Sequence, residues 1–356
     1  MLRVCLCHFI INLSYYSSFF VGLLPAPLDR RKGKFSSSRI YLAYSAFAHL
    51  FSILANVFGG YYYFHSNFMT NNSVLMWAYI ISNCAKILFL VVLVEELWWK
   101  RKSMLEIYKD FCALDIRHKA FLKELHYVQV VNNTDCCERT GSDKQRIINL
   151  IIIKFLMTHF CVLMTSYNFL TMHPGNDSLY LPIHTYISFI LNAFMLSASG
   201  HFFYVLSQLY RHFSQINYEL DSLYIQLQQQ DVHGVAIKIS VWRINTLALL
   251  HFETFRLTQH IFGIVELTLA TFLLRLFFVN MRTVYSACML LSQNYTEALW
   301  SLANDLLLTV FYFTDTAMVM GMLNAVLEGC NNTGQVLKEY AGLTEVHVDS
   351  HLEKAV

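Results

Sequence analysis

The sequence predicts an all-α membrane protein: a polytopic membrane helical bundle with six clear transmembrane helices, a cytosolic N-terminus and long cytosolic helical loops. Three observations predict this class. Of the 356 residues, 56% are hydrophobic and only 14% are charged, whereas soluble proteins average about 25% charged residues. Mean hydropathy is +0.41. Apolar segments of ~20 residues, the length that crosses a bilayer, recur along the chain. Lys and Arg are concentrated in every second connection between these segments and are scarce in the others.

The first apolar element is Val4–Leu24, which contains no Asp, Glu, Lys or Arg. Interspersed Ser, Asn and His dilute its hydrophobicity. Three interpretations stay open for it: a span, a signal-like segment or an interfacial helix. A cleaved signal is the least favoured, because no small-residue cleavage site follows the segment.

Six later segments are long and apolar enough to span a membrane. The fifth of them could continue to Leu291, because Val284–Leu291 is also apolar. The predicted spans are Ile40–Phe64, Val74–Leu97, Ile147–Leu170, Leu181–Leu206, Ile261–Val279 and Leu299–Leu327.

Basic residues predict the orientation of these spans, because Lys and Arg concentrate on the cytoplasmic side. One set of connections, together with both termini, carries 22 Lys and Arg, and the other set carries one, Arg282. We therefore expect both termini and both long loops to face the cytosol. The predicted organisation is a cytosolic segment 1–39 with an interfacial helix, a helical bundle 40–327 and a cytosolic tail 328–356.

The long cytosolic loops also carry helical patterns. After the fourth span, apolar residues continue from Phe202 to Leu227 at steps of three and four, which is typical of one face of a helix. Gly234 is a predicted break before the next helix, and Trp98–Val128 is predicted to be helical. These helices could pack on their neighbours as surface helices or form an oligomer contact.

Ionisable residues inside the spans form one candidate site, because such charges are costly in a bilayer and usually face protein or water. Depth suggests that Lys154 pairs with Glu266, that Lys86 pairs with Asp315, and that Arg275 meets Asp305 or Asp315. At least one pair would lock the bundle. The alternatives are snorkelling side chains or a water-filled cavity. The candidates are Lys86, Lys154, Glu266, Arg275, Asp305 and Asp315.

Aromatic residues in the outer half of the bundle form a second candidate, because apolar cavities with a few polar groups usually hold small ligands. The alternative is an interfacial aromatic belt. The predicted ligand-binding residues are Trp77, Tyr79, Tyr167, His184, Tyr186, Trp300 and Asn304. Sequence motifs of enzymes, zinc sites and nucleotide sites are not found, so we expect no enzyme activity, no metal and no cofactor.

Three stretches of the sequence carry a resemblance to a known family: Ser14–Pro25, which end in Gly-Leu-Leu-Pro, the basic run that follows, and the tail Asn331–Tyr340. In these stretches the chain resembles the insect gustatory receptor family of the insect chemoreceptor superfamily. The resemblance implies seven spans with a cytosolic amino terminus, so that Val4–Leu24 would lie at the inner face. It also implies a small-molecule tastant, a homo- or hetero-tetramer forming a ligand-gated cation channel, and the plasma membrane of a sensory neuron.

The sequence departs from that family's pattern after Leu327. The family signature in the last span, Thr-Tyr, five hydrophobics and Gln-Phe, is not found there. Two alternatives to a conducting receptor therefore stay open. One is a seven-span G-protein-coupled-type receptor, and the other is a non-conducting or truncated receptor subunit. No nucleic-acid partner is expected, because the net charge is only +2.

Overall fold

The chain is described by a computed structural model, and it folds almost entirely into helices. The long helices of the described residues are α1 (Arg39–His65), α2 (Ser73–Trp99), α3 (Arg101–Val131), α4 (Thr140–Thr171), α5 (Tyr180–Gln229), α6 (Gly234–Ser292) and α7 (Leu299–Val346). The structure describes residues 9, 12–13, 15–20, 22–24, 28–29, 34–35, 38–65, 73–131, 140–171, 180–229, 234–292 and 299–346. All six predicted spans fall within helices of this set.

Four stretches of the described helices are long and apolar enough to cross a membrane: Met76–Trp99, Gln145–Met164, Val241–Tyr285 and Leu306–Val336. A shorter apolar helix, Arg39–Ala55, lies in α1. The protein is therefore a helical membrane protein, as predicted. The count of six spans and the side of the amino terminus stay predictions.

Two strands of two residues qualify the all-α prediction. Strand β1 (Leu28–Asp29) pairs antiparallel with β2 (Lys34–Phe35), and Leu28 lies opposite Phe35. Each strand is too short to contribute a sheet face, so the architecture remains helical.

A turn before α1 anchors part of the predicted amino-terminal segment. Residues 15–20 are helical, and Gly22 follows in the left-handed region at φ 78°. The Gly22 carbonyl accepts hydrogen bonds from Ser45 Oγ at 2.9 Å and from His49 Nε2 at 3.0 Å. A Cβ at Gly22 would lie 3.0 Å from Ser45 Oγ, so both the φ and the close approach require glycine. Of the other positions of Val4–Leu24, residues 9, 12–13 and 23–24 are described, and the remainder lies outside the described residues.

The chain divides into two compact units. Unit 1 comprises Met1–Leu105, Ile152–Phe202 and Ile264–Val319. Its core holds large side chains with almost no exposure, such as Phe89, Phe194 and Phe272. Close packing of such apolar side chains is what fixes the faces of the helices.

Unit 2 comprises Glu106–Ile151, Phe203–Gly263 and Met320–Val356. The apolar stripe predicted along α5 is its buried face, since Leu209, Phe213, Ile216, Leu220 and Leu223 are each at most 1% exposed. The predicted helix break is confirmed, because α5 ends at Gln229 and α6 begins at Gly234. The predicted helix Trp98–Val128 corresponds to α3, which begins at Arg101.

Candidate ligand site and buried charges

A fully buried ion pair joins three helices of unit 1. Lys154 on α4 is 0% exposed, and its ammonium pairs with a carboxylate oxygen of Asp315 on α7. It also donates to Ser199 Oγ on α5 at 2.9 Å, and that hydroxyl donates to Asp315 Oδ2 at 2.9 Å. Both carboxylate oxygens and the ammonium therefore have partners, which a buried ion pair requires to offset its desolvation.

The partner of Lys154 is not the one predicted from the depth of the charged residues within their spans. Glu266, the predicted partner, is exposed on α6, and Asp315 pairs with Lys154 rather than with Lys86. Depth in a span does not specify which way a side chain points around the helix axis, and that rotation selects the partner. The side chain of Asp305 lies outside the described part of the chain.

Arg275 on α6 is the largest fully buried side chain, with 1% exposure. Its guanidinium carbon lies 5.7 Å from the centroid of the Phe89 ring on α2, within the range of a cation–π contact. Its Nε and Nη1 atoms have no hydrogen-bond partner among the described residues. Asp315 acts on Arg275 electrostatically, but the carboxylate oxygens of Asp315 are bonded to Lys154 and Ser199.

One predicted ligand-binding residue lies beside a cation. The guanidinium of Arg282 on α6 stacks over the ring of Tyr79 on α2, 4.8 Å from its centroid. Lys86, two turns further along α2, interacts electrostatically with both Arg282 and Arg275. The two helices thus place three basic groups along one shared seam.

Of the other predicted ligand-binding residues, the structure describes the side chains of Trp77 and Tyr167. Trp77 is 58% exposed and Tyr167 is 46% exposed, which is typical of aromatic side chains that face lipid or its interface. The aromatic site as a whole stays a prediction. The side chains that lie outside the described residues are those of His184, Tyr186, Trp300 and Asn304.

Glu96 on α2, within the second predicted span, forms a further buried contact. Its carboxylate is 3.0 Å from the ammonium of Lys100 and accepts a hydrogen bond from Thr268 Oγ1 on α6. Lys100 also donates to the Ile264 carbonyl at 2.7 Å. The i, i+4 spacing of Glu96 and Lys100 was the available signal, but it did not reveal the contact to α6.

Unit 2 contains a buried histidine pair that the sequence did not indicate. The rings of His118 on α3 and His212 on α5 have centroids 4.4 Å apart. Burial, with the nearby Arg211 charge, lowers the pKa of His118 to about 4. Burial, with the charges of His118 and Arg211, lowers the pKa of His212 to about 3. Both rings are therefore neutral at physiological pH.

Asp115 sits beside this pair and binds two cations. It is 2.7 Å from Arg211 and also pairs with Lys119 one turn along α3. Burial raises the pKa of the Asp115 carboxyl, but the Lys119 hydrogen bond and the Arg211 charge outweigh burial and lower the pKa overall. Within the described chain, groups of three or more His, Cys, Asp or Glu that could hold a metal ion are not found.

Two concave regions lie elsewhere in the described residues. In unit 1, Gly22, Tyr41, His49 and Trp98 line a small cavity at the amino-terminal turn. In unit 2, a groove is lined by Asp110, Ala113, Leu114, Arg117, Glu253, Arg256, Leu257 and His260. Neither region contains a predicted ligand-binding residue.

Long apolar helices that bury an ion pair define a polytopic helical membrane protein. Its family follows from comparison: the profile of the 7tm chemosensory receptor family matches residues 11–356, and the chain belongs to that family. Two Drosophila melanogaster proteins are similar to it, and both carry provisional names as gustatory receptors. Gustatory receptor 58b is 24% identical over 95% of this chain and 79% of its own length. Gustatory receptor 58a is 21% identical over 97% of this chain and 86% of its own length.

The family predicted from the sequence is thereby confirmed, and with it the class of function: the chain is a chemoreceptor. A chemosensory receptor family is also not an enzyme family. The gustatory receptors among its relatives agree with the gustatory function that the family resemblance implied.

Proposed function

We propose that the chain is a gustatory receptor subunit that binds a small-molecule tastant within its helical bundle and contributes to a ligand-gated cation channel. The observation that carries the proposal is the family match over residues 11–356. The buried ion pair of Lys154 and Asp315 supports it, because charges inside membrane helices commonly belong to functional interiors.

The proposed receptor lies in the plasma membrane of a sensory neuron, with six spans and both described ends in the cytosol. The distribution of Lys and Arg supports this orientation. The working assembly is a homo- or hetero-tetramer. Ligand binding would favour the open state only through a higher affinity for that state than for the closed one.

Expression of the full chain in cells tests the channel proposal by recording current during application of a tastant panel. Ligand-dependent cation current from this chain, alone or with a second receptor subunit, is the expected result. Signalling through a cytosolic transducer without any receptor-borne current would instead indicate a G-protein-coupled-type receptor. Surface expression with neither response, under all subunit combinations, would indicate a non-conducting subunit.

A separate experiment tests the orientation. Asn176, in the connection between the third and fourth predicted spans, should receive glycans, and a cysteine introduced at Lys100 should be protected from an impermeant thiol reagent on intact cells. Labelling at position 100, or a cytosolic Asn176 shown by protease protection, would overturn the proposed orientation.

A further inference from the structure

The seam between α2 and α6 holds more positive than negative charge. Lys86, Arg275 and Arg282 interact with one another across it, and Lys154 acts on Arg275 from α4. Among the side chains that the structure describes, the carboxylate that acts on Lys154 and Arg275 is that of Asp315, whereas Glu96, further along the seam, is bonded to Lys100 and Thr268. The Asp315 carboxylate already accepts from Lys154 and Ser199.

Arg275 is the least satisfied group of the seam. Two of its nitrogen atoms, Nε and Nη1, are buried without a hydrogen-bond partner in the described residues, although its guanidinium stacks on Phe89. Burial of a charged group without full hydrogen bonding is energetically unfavourable. A carboxylate oxygen is a strong acceptor for either of these guanidinium donors.

The two helices of the seam also carry unsatisfied neutral polar atoms, and the amide nitrogen of Asn280 donates to Thr316 on α7. Ser82 Oγ on α2 and Asn280 Oδ1 on α6 are buried and have no partner in the described part of the chain. Ser82 lies between Tyr79 and Lys86 along α2, and Asn280 lies between Arg275 and Arg282 along α6. Polar groups therefore occur on both helices between the Tyr79–Arg282 contact and Arg275.

We propose that this seam is a binding site for the carboxylate group of a small organic acid, with Arg275 as the main ligand-binding residue and Lys86 and Arg282 as secondary cations. The proposal rests on the proposed receptor function and names its ligand class. In the proposed orientation, the Tyr79–Arg282 end of the seam faces the cell exterior. An anion arriving from water meets Arg282 first and is drawn inward by Lys86 and Arg275, because a low-dielectric surrounding strengthens the attraction.

Thermal unfolding of the purified full chain in lipid nanodiscs tests the proposal with two matched probe pairs, benzoate with benzamide and hexanoate with hexanamide, at constant ionic strength. At least one carboxylate should raise Tm in a saturable way while its neutral amide does not. Arg275→Gln should raise the half-saturating concentration by about tenfold or more, since a charge-assisted bond contributes about 1.5–3 kcal/mol. Lys86→Gln should weaken binding by a smaller factor.

Arg275→Lys keeps the charge without the planar guanidinium, so it should bind more weakly than the parent chain and more tightly than Arg275→Gln. If Arg275→Gln fails to fold, the comparison of Arg275→Lys with the parent chain is the deciding one. Lys109→Gln, a change at an exposed basic residue of unit 2, is the control and should leave binding unchanged. The proposal is overturned if neither carboxylate stabilises more than its amide, or if Arg275→Gln and Lys86→Gln both bind like the parent chain. The binding experiment does not depend on current. Carboxylate binding by a chain that gives no current in the expression experiment would therefore reject the channel proposal and retain this site.

Discussion

An ion pair of unit 1 and an ion pair of unit 2 differ in how far they are withdrawn from solvent. In unit 1, Lys154 and Asp315 are withdrawn from solvent and joined by Ser199. In unit 2, Asp115 binds Arg211 and Lys119, whose side chains are 34% and 71% exposed. Water can therefore replace a lost partner of Asp115, whereas loss of Asp315 leaves the charge of Lys154 buried and unpaired. The stability contributed by an ion pair is set by burial more than by its N···O distance.

The largest expected effect follows from breaking the buried pair. Asp315→Asn leaves the Lys154 ammonium buried without its counter-charge, and we expect a loss of about 3–5 kcal/mol, seen as a lower yield of monodisperse protein and a lower Tm. The double variant Asp315→Asn/Lys154→Met removes both charges and should recover most of the loss. A single variant as stable as the parent would show that this pair is not needed for stability.

A smaller effect is expected from acid at the buried histidine pair of unit 2. In the folded chain the pKa of His118 is about 4 and that of His212 is about 3, against an ordinary histidine pKa of 6.5. Between the lowered and the ordinary pKa, the unfolded chain therefore binds more protons than the folded chain. Stability must then fall as pH decreases below the ordinary value. At pH 5 each neutral histidine lowers stability by about 2 kcal/mol relative to neutral pH.

Tm measured from pH 7.5 to pH 4.5 checks this dependence. The groups that face the pair include Asp115, Arg211, Lys119 and Phe111, and of these the Asp115 carboxyl has a lowered pKa. It therefore adds its own loss of stability at the acid end. The double variant His118→Gln/His212→Gln should flatten the curve above pH 5, and an unchanged slope would contradict the assignment.

Close helix packing gives the next smaller effect. A Cβ on Gly329 of α7 would lie 3.2 Å from the Cβ of Phe213 on α5, which is tighter than ordinary van der Waals contact. Gly329→Ala should therefore cost about 1–2 kcal/mol, measured as a lower Tm. Gly334→Ala is the matched control on the same helix, since nothing lies within 4 Å of its Cβ, and it should gain up to about 1 kcal/mol of helix propensity. Equal signs for the two changes would contradict this packing.

The smallest effect sharpens the comparison from the exposed side. Lys119→Gln removes a pair whose ammonium is 71% exposed, and Arg211 remains to bind Asp115. We expect a change below about 0.5 kcal/mol, which thermal unfolding at low and high salt would measure. A loss of stability as large as that of Asp315→Asn would mean that exposure does not decide how much an ion pair stabilises the protein.

Much of the helical framework could be predicted from the residues. The stripe from Phe202 onward identified the buried face of α5 because a helix repeats every 3.6 residues. Gly234 marked the start of α6, and Ser14–Pro25 indicated the family. The partner of Lys154 could not be predicted from depth, because Glu266 and Asp315 lie on different helices whose rotations depend on all their neighbours. The His118–His212 pair was also missed, since the two residues are far apart in the chain and each alone is unremarkable.

The sequence by itself determined that long apolar helices build this membrane chemoreceptor, because hydrophobicity and helical period are local properties that any window of the chain displays. The tertiary structure alone decided which charges meet: Lys154 with Asp315 and Ser199, and Arg275 with Phe89. Those choices depend on how each helix is rotated against its neighbours, which side-chain packing fixes only when all the helices are in place.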